Sequence, residues 1–259
     1  LVPPEGRNDV QAAVLVSAAI EIDGARGIEI DNCTISQTGG YGVWLRRAVR
    51  DSKVTNSTLT DMGAGGVKLG QINQLPADAV QTGNNSVIGN RISETGKVHA
   101  GGVGIWVGQG FDNTISNNAI FNTTYSAISM GWTWGYATAT SGRNKITNNL
   151  LYSIGQGVLD DLGAIYTLGI SQDTVIRDNV IREVRGYPGY GVGAWGIYND
   201  AGTSGVLVEN NLVVGTNNGG YHLNYGRKNI VRTNVFAHGS QSELTVTHSD
   251  PASTQLAVA

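Results

Sequence analysis

A six-residue pattern of aliphatic and polar positions recurs along the chain. Each copy holds an aliphatic residue, two mostly polar residues, a small or amide residue, any residue and a second aliphatic residue. The fourth positions of the copies are Cys33, Ser57, Asn90, Asn118, Asn149, Asn179, Asn211 and Asn234. Successive fourth positions are 24, 33, 28, 31, 30, 32 and 23 residues apart. This spacing predicts structural repeats that stack on one another.

A second pattern follows each of the first seven copies. A small residue, such as Gly42, lies two positions before a central residue that apolar residues usually flank. Because side chains alternate along a strand, we expect the small residue and the central residue to share an outer face, with flanking residues such as Val43 and Leu45 inside. The central residues are Trp44, Lys68, Trp106, Ser129, Tyr166, Tyr198 and His222.

Short strands with one aliphatic face need a neighbour that covers this face, and stacked coils provide one. The sequence therefore predicts an all-β fold, a right-handed parallel β-helix of about eight coils. The asparagines at the fourth positions are expected to adopt left-handed backbone and to form hydrogen-bonded ladders. We interpret the chain as one domain, with a lead-in at 1–12, coils at 13–240 and a tail at 241–259.

Three coils carry insertions at the same corner. The distance from the fourth position to the central residue is 11 residues in four coils, but 16, 17 and 19 in the coils of Trp106, Tyr166 and Tyr198. An aromatic loop, 130–136, also follows Ser129. Insertions on one side of a solenoid usually mark its binding face.

Composition and charge narrow the choice of ligand. The net charge of −3 and the lack of a long basic run argue against nucleic acid, and no apolar stretch is long enough to span a membrane. The scattered histidines have no metal-binding spacing, so no metal or cofactor is predicted. Aromatic rings bind the apolar faces of sugars, which makes a glycan the expected partner. Its predicted contacts are Lys68, Trp106, Trp132, Trp134, Tyr166, Tyr198 and His222, in a shallow groove floored by Gly and Ala.

Carboxylates near the insertions suggest a reaction. Hydrolysis of a glycosidic bond usually needs two carboxyl groups about 5–9.5 Å apart. Asp161 and Asp200 are the candidate pair, and Asp160 is a further candidate substrate contact. The polar residues Thr167 and Asn199 replace aliphatic ones just before Asp200, which predicts a strand end or bulge. Asp161 lies five residues before its central residue and Asp200 two residues after its own, so in extended strands the two would be roughly 23 Å apart along the strand direction. The insertion in the coil of Tyr166 must therefore fold back to bring them together.

Three motifs resemble glycoside hydrolase family 141 and its parallel β-helix relatives. The run D-L-G-A-I-Y-T-L-G at 161–169 is similar to D-M-G-G-I-Y-T-L-G, and supporting matches are G-W-T-W-G-Y at 131–136 and W-G-I-Y at 195–198. The resemblance covers about 13–240. It implies a right-handed β-helix that acts on plant cell-wall or similar glycans, with fucosidase or xylanase activity, and an extracellular or periplasmic location. Two aspartates of this family match Asp161 and Asp200.

The chain departs from the family pattern beside this pair. Relatives often carry D-E-G where this chain has Ala201 after Asp200, and a histidine where it has Asn224, a candidate substrate contact. These departures indicate altered specificity or lost activity. A glycoside hydrolase is thus the leading hypothesis. The alternatives are a polysaccharide lyase or uronate epimerase, using Lys68, Arg46 and His222, and a non-catalytic glycan-binding β-helix.

Overall fold

The structure, a computed structural model, describes residues 10–189, 191, 193–247 and 256–258. Residues 1–9 of the expected lead-in and residues 248–255 and 259 of the expected tail lie outside this part. The helical structure found in it is a 3-10 turn at Gln11–Ala13, and it contains no helix long and apolar enough to cross a membrane. The strands form three parallel sheets, and each turn of the chain, or rung, contributes a strand to each sheet.

Sheet 1 carries the column of central residues. Its nine strands, in spatial order, are Ala18–Ile22, Tyr41–Leu45, Val67–Leu69, Ile105–Val107, Ile128–Met130, Leu162–Thr167, Ala194–Asn199, Gly219–Leu223 and Leu244–Val246.

Sheet 2 follows sheet 1 in each rung. Its strands are Glu29–Asp31, Lys53–Thr55, Ser86–Ile88, Thr114–Ser116, Lys145–Thr147, Ile170–Arg177, Thr203–Glu209, Asn229–Arg232 and Leu256–Val258, with Gly226–Arg227 paired to Thr203–Glu209 off this path.

Sheet 3 completes each rung. Its strands are Thr34–Thr38, Thr58–Met62, Arg91–Ser93, Ala119–Thr123, Leu150–Ile154, Val180–Val184, Leu212–Thr216 and Val235–Gly239.

The stacking confirms the predicted parallel β-helix. In sheet 1 Trp106 pairs with Lys68 on one side and Ser129 on the other, and Tyr166 pairs with Tyr198. The central residues therefore occupy one column, as the periodicity predicts. Most aliphatic residues of the first pattern, such as Ile115 and Ile146, are fully buried between the sheets. Pairing also continues into Leu244–Val246, so coils extend past residue 240.

The asparagine ladder forms at the turn from sheet 2 to sheet 3. The main-chain N–H of Asn118 donates to Asn149 Oδ1 at 3.0 Å, and Asn149 Nδ2 donates to Ile115 O at 3.1 Å and to Asn179 Oδ1 at 2.9 Å. The amides thus satisfy turn groups that the sheets leave unpaired. The left-handed residue is, however, the one before the ladder position, as at Asn148 (φ 57°), because the bend precedes the inward-pointing amide.

A second ladder, which the sequence analysis missed, lies at the turn from sheet 1 to sheet 2. The main-chain N–H of Asn85 donates to Asn113 Oδ1, and that of Asn113 donates to Asn144 Oδ1, both at 3.0 Å. Ser52 and Thr174 occupy its ends, so the amide repeat is too short to stand out in the sequence.

The small residues before the central column do not form an outer floor, and that expectation was wrong. A Cβ at Gly42 would lie 2.9 Å from Leu59, and one at Gly196 would lie 2.2 Å from Val213, both core residues of sheet 3. Both glycines lie in the first half of a sheet 1 strand, at positions that the strand pairing skips. The regular alternation is interrupted there, so the missing side chain makes room inside the solenoid.

Replacing a ladder amide should destabilise the fold strongly. Asn149→Ala leaves the buried Asn118 N–H and Ile115 O unpaired, so we expect the free energy of unfolding to fall by roughly 2–4 kcal/mol in urea titrations. Asn148→Gly is the matched control, because it removes an exposed amide at a left-handed residue. Equal losses in the two variants would contradict a structural role for the ladder.

Candidate functional site

The first part of the central column is covered rather than open. Lys68 and Trp106 are 0% exposed. Lys68 Nζ donates to Val14 O at 2.7 Å and to Val16 O at 3.1 Å, and it lies 3.4 Å from the centre of the Trp44 ring. Burial lowers the pKa of Lys68 to about 7. The N-terminal segment thus occupies the face on which Lys68 was expected to meet a sugar, and the groove is shorter than predicted.

The aromatic loop covers the next rung. The Trp132 ring packs edge-on against Trp106, with ring centres 5.5 Å apart, and against Trp134, at 4.9 Å. Trp132 is buried, whereas Trp134 is 50% exposed. Of these three predicted sugar contacts, only Trp134 presents its ring at the surface.

Asp161 lies at the entry to the strand Leu162–Thr167. Its backbone is left-handed (φ 58°), and Tyr125 Oη donates to its carbonyl oxygen at 2.9 Å. The Oδ1 atom is buried without a hydrogen-bond partner. Burial, aided by the charge of Asp200, raises the pKa of Asp161 to about 6. A strained backbone, an unpaired buried oxygen and a raised pKa together are typical of a functional group.

Asp200 lies just after the strand Ala194–Asn199 and is also buried, but its surroundings are different. The Tyr166 hydroxyl donates to Oδ2, and Asn224 Nδ2 donates to Oδ1 at 2.8 Å. Asn224, a predicted substrate contact, thus supplies a donor to this carboxylate. Both carboxyl oxygens of Asp200 accept a hydrogen bond.

Asp161 and Asp200 interact electrostatically. The charge of Asp200 contributes to the raised pKa of Asp161, and the charges of both aspartates add to the effect of burial in raising the pKa of Tyr198. The insertion before Tyr166 thus places the two predicted carboxyl groups near each other and near Tyr198.

Polar side chains replace the aliphatic core beneath this pair. Thr167 Oγ1 donates to Asn199 Oδ1 at 3.0 Å, and Asn199 Nδ2 donates to the Tyr221 hydroxyl at 3.0 Å. Thr167 and Asn199 pair in register and end their strands, so the structure has the expected strand end and no bulge between them. Their mutual bonds satisfy polar groups that would otherwise be costly to bury.

His222 packs as a neutral ring. It stacks on Trp195 at 4.1 Å between ring centres and meets Tyr198 edge-on at 4.7 Å, while Nδ1 lies 2.6 Å from Thr245 Oγ1. Burial lowers the pKa of His222 to about 4. It is therefore uncharged near neutral pH and packs against the ring of Tyr198.

Asp160 faces the insertion that precedes Tyr198, and not Asp161 and Asp200. Its Oδ1 accepts a hydrogen bond from Gly193 N at 3.0 Å, and the side chain is buried. The carboxylate thereby holds the insertion in place, and its charge contributes to the raised pKa of Asp161.

Two residues of the site were missed in the sequence. Trp195 pairs with Gly163 and Gly219 on the adjacent rungs. A large ring aligned between two glycines was the sequence feature that could have identified it as a site residue. Tyr125 lies outside the strand pattern, and only the folded chain brings it to Asp161. No group of three or more metal-ligating side chains that could hold an ion occurs in the described part of the chain.

Comparison with known proteins identifies the family. Residues 7–161 match the sequence model described as the right handed beta helix region. The chain belongs to this family. No curated protein sequence matches the chain significantly.

Solved structures share the fold. A glycoside hydrolase superposes with a TM-score of 0.69 at 21% identity, over 91% of this chain and 39% of its own. An alginate lyase from Paenibacillus sp. str. FPU-7 superposes with a TM-score of 0.60 at 15% identity, over 90% of this chain and 76% of its own. The tailspike of Pseudomonas phage phi297 gives 0.54 at 15%, over 94% and 45%. The chain thus spans about two fifths of the glycoside hydrolase.

The raised pKa of Asp161 should be visible in stability. Its folded pKa is about 6 against an ordinary 3.8, so its stabilising protonation is complete below pH 3.8 and is lost as the pH rises through 6. Asp161→Asn should therefore leave the unfolding free energy nearly unchanged at pH 4 and increase it by roughly 1–3 kcal/mol at pH 8.

Asp173→Asn is the matched control for that measurement. Asp173 is exposed and has the same left-handed backbone (φ 59°), so its replacement removes no buried carboxylate and should give no comparable gain. A gain for Asp161→Asn that is equal at both pH values would show that folding does not raise the pKa of this carboxyl.

Proposed function

We propose that the protein hydrolyses glycosidic bonds, with Asp161 as general acid and Asp200 as nucleophile or general base. The observation that carries the proposal is the opposite environment of two adjacent carboxyl groups. Asp200 accepts hydrogen bonds from Tyr166 and Asn224, whereas Asp161 has a buried oxygen without a partner. Two-carboxylate hydrolysis needs one protonated and one ionised group.

The environment assigns a role to each group. An acid must hold its proton at a pH at which an ordinary carboxyl has lost it and then release it to the departing oxygen, and burial raises the pKa of Asp161 to about 6. A nucleophile or base must be ionised, and the donors around Asp200 stabilise its charge. Similarity of the 161–169 run to glycoside hydrolase family 141, and the fold shared with a glycoside hydrolase, support the same reading.

The covered rungs restrict the substrate. Lys68, Trp106 and Tyr166 are at most 1% exposed, so a sugar chain does not lie along the whole column. We propose that the substrate contacts Asp161, Asp200 and Tyr198, with Trp134 beside the opening. Such a site takes a short stretch of glycan.

The structure gives less support to a lyase or epimerase. Those reactions need a cation beside the uronate carboxylate. Lys68 is bonded to the N-terminal carbonyls, Arg46 is paired with Asp23 at 2.6 Å, and His222 is uncharged near neutral pH. Each cation considered for that chemistry is therefore engaged or neutral.

The two roles can be separated with activated substrates. Asp161→Ala should lower the rate on natural glycans by a factor of about 10²–10⁴, since protonation of the leaving group is lost. It should retain most activity on aryl glycosides whose leaving group needs no proton. Asp200→Ala should lose activity on both substrates.

The measurement is release of reducing ends from xylan, fucosylated glycans and pectins, together with aryl glycoside cleavage. The reverse pattern in the two variants would exchange the roles. Products that contain a double bond would indicate a lyase, and binding without any cleavage would indicate a glycan-binding protein.

A further inference from the structure

We infer that Trp106 and Ser129 form a subsite for a neutral sugar unit, beside the carboxyl pair and beneath the side chain of Trp132. The Trp106 indole N–H and the Ser129 hydroxyl bind hydroxyl groups of that sugar once the Trp132 ring has moved aside. The subsite rests on the proposed function, because it locates a further unit of the same substrate.

Two polar groups of the central column are buried without a partner. Trp106 and Ser129 are at most 1% exposed. Neither Trp106 Nε1 nor Ser129 Oγ has a hydrogen-bond partner among the described residues. Burying an unsatisfied polar group is costly, so each such group calls for a physical reason. Two of them on neighbouring residues of one column indicate a surface that a polar ligand completes.

Strand pairing places the two groups on one surface. Trp106 and Ser129 pair in register on adjacent rungs, which are about 4.8 Å apart. The two ends of the strand Ile128–Met130 lie in the hydrophobic core, so alternation directs the Ser129 side chain outwards. On its other side Ser129 pairs with Tyr166, whose hydroxyl donates to Asp200. The subsite therefore continues the column from the carboxyl pair towards the N-terminal rungs.

The Trp132 side chain covers this surface. Its ring packs edge-on against Trp106 and is itself buried. The backbone on either side of it is fixed, because the main-chain N–H groups of Gly131 and Gly135 donate to carbonyl groups of other rungs at 2.8 and 3.2 Å. Rotation of one ring about its side-chain bonds thus uncovers the subsite while the loop backbone stays in place.

The chemistry of the uncovered surface fits a neutral sugar. An indole N–H only donates, whereas a serine hydroxyl donates and accepts, so together they match the hydroxyl groups of a sugar. The Trp106 ring adds an apolar surface beside them. The next cation of the column, Lys68, is bonded to Val14 O and Val16 O, so it does not serve an anionic unit. The substrate therefore reaches Trp106 and stops there.

Removal of the Ser129 hydroxyl should weaken glycan binding without weakening the fold. Ser129→Ala deletes a group that has no partner among the described residues, so the unfolding midpoint in urea should not fall. The affinity for an oligosaccharide should drop about three- to tenfold, as expected for one lost hydrogen bond. Ser126→Ala is the matched control, because its hydroxyl is equally buried and unpartnered but lies outside the central column.

The affinities are measured by calorimetry with oligosaccharides from xylan, fucosylated glycans and pectins. Asp161→Asn is the background for all variants, so that no oligosaccharide is consumed. The expected result is a loss of affinity with Ser129→Ala and none with Ser126→Ala. Equal affinities, or no binding of any of these oligosaccharides, would overturn the subsite. A clear fall in the unfolding midpoint of Ser129→Ala would also overturn it, since the hydroxyl would then be structural.

The Trp106 indole gives a readout that does not depend on activity. In ¹H–¹⁵N spectra of the full chain, its indole proton should move downfield when the oligosaccharide binds, because it gains an acceptor. The Trp132 signal should also move as the ring leaves Trp106. Trp44 is the internal control, since its Nε1 already donates to Gly70 O at 2.7 Å. An unmoved Trp106 signal in the oligosaccharide complex would overturn the inference.

The subsite and the proposed function fail separately in these experiments. Binding that requires the Ser129 hydroxyl, in a protein that cleaves no glycan, would retain the subsite and reject hydrolysis. Cleavage and binding that are both unchanged by Ser129→Ala would retain hydrolysis and reject the subsite.

Discussion

In-register pairing of parallel strands in sheet 1 determines where the side chains of the site lie. Each rung places one central residue directly beside that of the next rung, as Tyr166 beside Tyr198 and Tyr198 beside His222. A slip of one residue would move each of these side chains to the opposite face of the sheet. The electrostatic interaction between Asp161 and Asp200 therefore depends on backbone hydrogen bonds several residues away from either carboxyl group.

The polar ladders make this register compatible with insertions. At the corner between sheets 2 and 3 the asparagines bond both to the neighbouring turn and to strand carbonyls, as Asn179 does with Asn211 and Ile146. Each rung is thus fixed at its far corners. The insertions before Tyr166 and Tyr198 can then vary in length without shifting the strands. The insertion before Tyr166 can therefore place Asp161 at the start of its sheet 1 strand.

The periodic part of the structure was predictable, because stacking repeats at fixed corners leaves a trace in the spacing of aliphatic and amide residues. The rungs and the central column follow from it. Which residues of the column are exposed does not follow from the spacing, because Val14 and Val16, which precede the first copy of the repeat, cover Lys68. The glycines were predicted on the wrong face because the regular alternation is interrupted at Gly42 and Gly196, within the strands. Tyr125 lies in no repeated position.

The separation of the Asp161 and Asp200 carboxyl groups in a crystal structure tests the central claim most directly. The account predicts a separation of about 5–9.5 Å, the range that two-carboxylate hydrolysis requires. A separation well beyond roughly 9.5 Å would contradict it.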